Sequence, residues 1–239
     1  MTEASSVFAL HGFTGRPQQW QKLLPTAACA WLAGHGLQPI LQTQYFEQEV
    51  ARLALEAEGL PEPRTLVGYS MGARVGLGIL VRRPDLFQNA VLVGGSPGLR
   101  DDAERSQRLE WERNWQRLLE DHGLAAFVDA WRNLPLFATQ RELPDALRQD
   151  QDATRRAHTA AGLHHALGVL GLGAMPSLWD ELDQIEAQVV LVAGAEDPKF
   201  TALAHEQAAA IAGARVEILP GAGHNPLLET PELCAQLVQ

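Results

Sequence analysis

Short apolar runs alternate along this chain with longer stretches of mixed polarity. Residues 7–10, 37–41, 64–67, 90–93, 188–193 and 215–219 each carry a brief apolar run bounded by Gly, Pro or polar residues, the pattern of strands buried on both faces. Between them, helices are predicted around 20–33, over 47–58, 73–81 and 200–212, and after Pro231. Strands alternating with helices of this length predict βα units and an α/β fold with a mostly parallel central sheet. From about residue 99 to 181 the strand signal fades. That stretch holds four tryptophans, many arginines and helical patterns at 104–119 and 141–165, and reads as a helical cap inserted into the sheet domain. The predicted division is a core of residues 1–98 and 184–239 and a cap of residues 99–183.

The sharpest local signal stands where the strand at 64–67 meets the helix at 73–81. Gly68-Tyr69-Ser70-Met71-Gly72 is a G-x-S-x-G elbow, in which small residues let the backbone turn tightly and leave the serine hydroxyl exposed above the sheet. Asp197 follows the apolar run 189–193, and His224 follows the next one, so both emerge beyond the carboxyl ends of strands in the chain order of an α/β-hydrolase. Asp197 would hold one imidazole nitrogen of His224 as a donor, leaving the other to take the Ser70 proton; Glu196 is the neighbouring acidic alternative. The Met71 amide after the elbow and the Phe13 amide in His11-Gly12-Phe13-Thr14-Gly15 are the candidate donors to a developing oxyanion. His11 reads as a support for that loop and not as the catalytic base.

Composition narrows the setting. At 239 residues and 46 % apolar content, the chain can bury one substantial core with a satellite lid, but hardly two large domains. A net charge of −10 and the lack of a Lys/Arg stripe argue against a nucleic-acid partner. Cys29 and Cys234 are far apart, with neither a disulfide framework nor metal-ligand spacing. No metal or cofactor is expected. The start runs directly into the first strand, without a basic, long-apolar leader, and no apolar run reaches the roughly 18 residues of a membrane span. The expectation is a cytoplasmic protein without stable membrane insertion, acting as a monomer.

Positive charge near the elbow suggests the ligand. Arg74 lies four residues beyond Ser70, one helical turn along, where its guanidinium can pair with a carboxylate in planar fashion. Trp131 reads either as cap core or as an apolar wall over the substrate.

Several segments together resemble a particular family. LHGFTG at 10–15, GYSMGAR at 68–74, GGSPGLR at 94–100, the helix carrying Arg108, Trp111 and Trp115, WRNLPLF at 131–137, GLGAMPSLWDEL at 171–182, AGAEDPKF at 193–200 and GAGHNPLLETP at 221–231 resemble the 2-succinyl-6-hydroxy-2,4-cyclohexadiene-1-carboxylate synthases of menaquinone synthesis, the MenH family. The likeness spans nearly the whole chain. It implies an α/β-hydrolase fold with a helical cap, an anionic small-molecule substrate, and elimination of pyruvate instead of hydrolysis. Ser70, activated by His224 and Asp197, would be the general base on a carbon acid, with Phe13 and Met71 stabilising enolate-like charge. Arg74, Arg108 and Arg156 would bind carboxylates, with Arg155 one register step from the last of these, and Trp131 would be the cap tryptophan. The sequence departs from the family at Leu41-Gln42-Thr43-Gln44-Tyr45-Phe46, which replaces an acidic Asp-x-Pro-Gly-x-Gly loop. The alternative chemistry for the same residues is hydrolysis of an ester or carbon–carbon bond through an acyl-enzyme.

Overall fold

In the computed structural model, which describes residues 5–238, one parallel sheet places the candidate residues Ser70, Asp197 and His224 beyond its carboxyl edge. Its strands are β1 (Val7–Leu10), β2 (Ala28–Ala30), β3 (Thr65–Tyr69), β4 (Asn89–Val93), β5 (Gln188–Gly194) and β6 (Arg215–Leu219), in the order β2-β1-β3-β4-β5-β6. Every neighbouring pair is parallel. The chain steps from β1 to β2 on one side and then returns to place β3 on the other side of β1. That reversal opens a crevice beyond the carboxyl ends of β1 and β3, the usual ligand position in an open α/β sheet. Residues 1–4 of the start, read above as carrying no leader, lie outside the described residues.

Successive strand side chains point to opposite faces, and both faces are covered, which is why the strands read as unbroken apolar runs. Phe8, Leu10, Leu66, Leu92 and Leu191 face one core; Ala9, Val67, Val91, Val190 and Val192 face the other. The helices outside the β4–β5 connection are α1 (Gln18–Leu23), α2 (Phe46–Glu58), α3 (Met71–Arg82), α7 (Pro198–Ala210), α8 (Pro226–Glu229) and α9 (Pro231–Gln236). Between β4 and β5 the chain forms α4 (Asp102–Trp131), α5 (Asp145–Arg156) and α6 (Ala160–Leu170), with 3-10 segments at Pro135–Glu142 and Trp179–Gln184. Leu119, Phe127, Trp131, Leu163 and Leu167 bury a third core there, and Phe13 packs against both it and the first core. Among the described residues no helix is long and apolar enough to cross a membrane.

Four expected elements differ. Residues 37–41 form no strand: Pro39 has no N–H to give a ladder, and Leu37 is 72 % exposed. The strand beside β1 is instead Ala28–Ala30, inside the predicted helix 20–33, which ends early at α1 ahead of Pro25. The helical pattern at 141–165 is divided: Pro144 opens α5, and Thr159 begins α6 by accepting the Gly162 amide on its hydroxyl at 2.9 Å. The helix expected at 104–119 runs on to Trp131 with a kink at Gly123, whose φ of 75° only glycine adopts readily.

Candidate active site

Ser70 joins β3 to α3 with φ 51° and ψ −105°, a strained conformation for a residue with a Cβ. The turn is held from both ends: the Ser70 amide donates to the Val93 carbonyl at 2.8 Å, and the Ser70 carbonyl accepts from the Arg74 amide at 3.0 Å. A Cβ at Gly72 would lie 2.3 Å from the Leu10 carbonyl oxygen, so only glycine lets α3 pack this closely on the end of β1.

Ser70 Oγ lies 3.0 Å from His224 Nε2, and His224 Nδ1 lies 2.8 Å from Asp197 Oδ2. His224 and Asp197 are buried. The other Asp197 oxygen, Oδ1, accepts from the Phe200 amide at 3.2 Å and caps α7, so its carboxylate is fixed by a helix start and an imidazole together. With a carboxylate accepting at Nδ1, the neutral ring is left with Nε2 as acceptor toward the serine hydroxyl. The Glu196 side chain is exposed, and it is Asp197 that meets the ring.

The loop carrying Phe13 is clamped by three buried histidines. His11 Nδ1 donates to the Gly12 carbonyl at 2.8 Å, and its Nε2 accepts from the Leu32 amide at 3.2 Å. His35 Nδ1 donates to the Ala33 carbonyl at 3.0 Å, and its Nε2 accepts from the Thr14 amide at 3.3 Å. His158, between α5 and α6, accepts the Gly36 amide at 2.9 Å and donates from Nε2 to the Thr14 carbonyl at 3.1 Å. Burial pushes all three toward the neutral form, His11 to about 3. Neither the Phe13 nor the Met71 amide meets a protein acceptor among the described turn and loop hydrogen bonds, and both residues line the same cavity as Ser70.

That cavity encloses about 410 Å³. Four cationic side chains line it, Arg74, Arg108, Arg155 and Lys199, against the single carboxylate of Glu112. The charge balance of the pocket is thus opposite to that of the chain, which carries −10. Arg74 donates to the Leu170 carbonyl at 2.7 Å; burial, then Arg108, push its pKa down to about 10, against the pull of Glu112. The Arg108 guanidinium lies 4.2 Å over the Trp111 ring. Trp131 stacks among Phe13, Trp115 and Phe127, and its buried Nε1 has no hydrogen-bond partner. Ser96 also faces the cavity, with its hydroxyl accepting from the Gly98 amide at 3.3 Å. None of residues 41–46 lines it.

Arg156 does not reach the cavity. Its Nη2 pairs with Asp129 Oδ1 at 2.7 Å, and the side chain is 39 % exposed. Arg155 is 5 % exposed and faces inward, its Nη2 3.3 Å from Gln140 Oε1. Adjacent helical residues are turned about 100° apart, so one of the pair must point away.

A model of the alpha/beta hydrolase family matches residues 7–237. A putative 2-succinyl-6-hydroxy-2,4-cyclohexadiene-1-carboxylate synthase of Bacillus subtilis is 33 % identical over 98 % of this chain and 89 % of its own length. The chain belongs to the MenH family of alpha/beta hydrolases. The synthase of that name from Serratia proteamaculans is 30 % identical over 95 % of this chain and 88 % of its own. The solved MenH of S. aureus superposes with a TM-score of 0.90 at 26 % identity, covering 97 % of this chain and 91 % of that one. Within this MenH-family site, sequence reasoning missed Glu112, Lys199, Tyr69 and Phe137 as lining residues. The signal for Glu112 was its position four residues after Arg108, the spacing of an ion pair on one helix face.

Proposed function

We propose that the chain is a pyruvate-eliminating lyase of menaquinone biosynthesis. It converts 2-succinyl-5-enolpyruvyl-6-hydroxy-3-cyclohexene-1-carboxylate to 2-succinyl-6-hydroxy-2,4-cyclohexadiene-1-carboxylate, the reaction named for its relatives. The observation that carries this reading is four cations gathered around the hydroxyl of Ser70 in an otherwise acidic protein. A substrate with several carboxylates fits such a pocket, whereas a neutral ester would offer its excess positive charge no counter-ion.

In this reading Ser70, His224 and Asp197 form a catalytic triad used for proton transfer. The proton on ring carbon 2 is acidic because it lies next to the succinyl ketone. His224 takes the Ser70 proton while Ser70 oxygen takes the carbon proton, and charge develops on the ketone oxygen toward the Phe13 and Met71 amides. The electron pair forms the 2,3 double bond, the 3,4 double bond moves to 4,5, and the bond from carbon 5 to the enolpyruvyl oxygen breaks. The departing enolate takes up a proton and leaves as pyruvate, so protons and electrons balance with water as no reactant. Arg74, Arg108 and Arg155 hold substrate carboxylates, and the unpartnered indole N–H of Trp131 supplies a further donor.

The test is incubation of the purified protein with the enolpyruvyl substrate, following pyruvate release and diene absorbance together. Equal yields of both are expected. Absence of pyruvate release, with burst kinetics on an ester, would replace this reading with acyl-enzyme hydrolysis.

A further inference from the structure

Glu112 places a negative charge in a cavity otherwise lined by cations, which is unfavourable for an anionic ligand unless that charge is already occupied. It is buried to within 3 % of full exclusion. Its Oε1 accepts from Arg108 Nε at 2.8 Å and from the Leu172 amide at 2.7 Å, while Oε2 accepts from the Gly173 amide at 3.1 Å. Three donors on one carboxylate spend most of its accepting capacity inside the protein.

Two arginines are organised by this carboxylate. By taking Nε of Arg108, it leaves the Nη edge of the guanidinium without a partner in the described hydrogen bonds, while the Trp111 ring beneath sets its plane. It also pins the segment 171–173, which directly follows Leu170, the carbonyl that accepts from Arg74. A side chain at position 171 would put its Cβ 2.5 Å from Glu112 Oε2, and one at 173 would lie 3.1 Å from it. The two glycines of GLGAMPSLW therefore have a physical purpose: they let the backbone close on the carboxylate. Arg74 stands on α3 and Arg108 on α4, so one buried anion ties a core arginine to a cap arginine.

We propose that Glu112 is a positioning residue, which aims the Arg108 fork and, through Leu170 to Gly173, the Arg74 guanidinium at carboxylates of the substrate. This rests on the anionic-substrate reading above. Preset guanidinium geometry lowers the ordering cost of binding, so its loss should appear in KM more than in kcat.

The experiment is a double-mutant cycle of Glu112→Gln and Arg108→Ala, read by KM and kcat for pyruvate release and by calorimetric binding of succinate as a carboxylate probe. Glu112→Gln alone should raise KM and the succinate Kd about tenfold, with kcat changed less than about threefold. In the Arg108→Ala background the same change should cost clearly less, about threefold, because the Arg108 fork is gone and only the arm through Leu170 to Arg74 remains. Equal losses in both backgrounds, or no loss in either, would show a purely structural role and overturn the inference. Glu112→Asp, which keeps the charge but shortens its reach, enters the same cycle with the same criterion should the glutamine variant not fold. If the wild type binds succinate yet releases no pyruvate, the proposed reaction fails while the binding arm still decides the role of Glu112. A wild type that neither turns over nor binds succinate overturns both.

Discussion

Gly94 stands against the imidazole of His224: a Cβ on it would lie 3.1 Å from Cε1 and 3.4 Å from Nδ1. The Phe200 ring centroid is 4.3 Å from the imidazole's, and Asp197 holds Nδ1. The ring is thus walled in, and its distance to Ser70 depends on those walls. Gly94 also has φ 60°, where a Cβ costs about 1–2 kcal/mol. Gly94→Ala should lower kcat/KM by at least about tenfold, since a 1 Å misplacement of a reacting group can cost about 10²-fold. Kinetics with a melting curve would check this; unchanged kcat/KM would show that the ring's position is not limiting.

Ser70→Ala and His224→Ala should each lower kcat/KM by at least about 10²-fold, the loss expected when positioned proton transfer is removed. Asp197→Asn is the more informative change, because Asp197 both orients His224 and caps α7. An asparagine keeps a carbonyl for the Phe200 amide, so stability should fall by no more than about 1 kcal/mol while the imidazole tautomer is disturbed. Retained activity in the Asn variant would remove Asp197 from the mechanism.

Arg155 and Arg156 offer a paired test one residue apart. Arg155→Ala removes a buried guanidinium from the cavity wall and should raise KM about tenfold or more, the scale of one charge-assisted hydrogen bond. Arg156→Ala removes an exposed pair with Asp129 and should leave kcat/KM within about twofold. Steady-state kinetics on the two variants decides between them, and a larger loss at Arg156 would contradict the geometry.

What the sequence conveyed follows from which features are local. The elbow at Ser70 and the strand-end positions of Asp197 and His224 depend on short motifs and chain order, and both are legible without a fold. The strand Arg215–Leu219 is bounded by turn residues and was read to its ends. Ala28–Ala30 escaped because Ala-Cys-Ala has no β-branched or large apolar residue; its pairing with β1 creates the strand. The phase of α5 was hidden for another reason. Its buried positions are Gln151, Thr154 and Arg155, so no apolar stripe marks the inward face, and the neighbouring arginines look equivalent. For Glu112 only the pairing with Arg108 stands in the local spacing; its partners at 172 and 173 are backbone amides some sixty residues away and leave no local mark.

The histidine clamp on the Phe13 loop should make the protein acid-labile. His11, His35 and His158 each use one ring nitrogen to donate and the other to accept from a backbone amide, so adding a proton turns an acceptor into a donor facing a donor. Burial lowers all three pKa values in the fold, with the neighbouring histidines adding for His11 and His35 and Arg16 adding for His158. In the unfolded chain each returns to about 6.5. Below that value the unfolded chain binds more protons than the native one, so stability rises with pH there. The contribution is intact above about pH 6.5 and is lost as pH falls toward about 3, the value for His11. Each ring adds a slope of up to about 1.4 kcal/mol per pH unit between about pH 6.5 and its own lowered pKa. Two of the rings hold the Thr14 amide and carbonyl beside Phe13, so turnover should decline over the same range. Melting curves from pH 8 to 4 should show this fall, and His158→Asn, which offers an amide donor and acceptor without a titrating ring, should reduce the slope by up to about one proton. A melting temperature flat across that range, or a slope unchanged in the variant, would mean that these rings do not govern the acid limb.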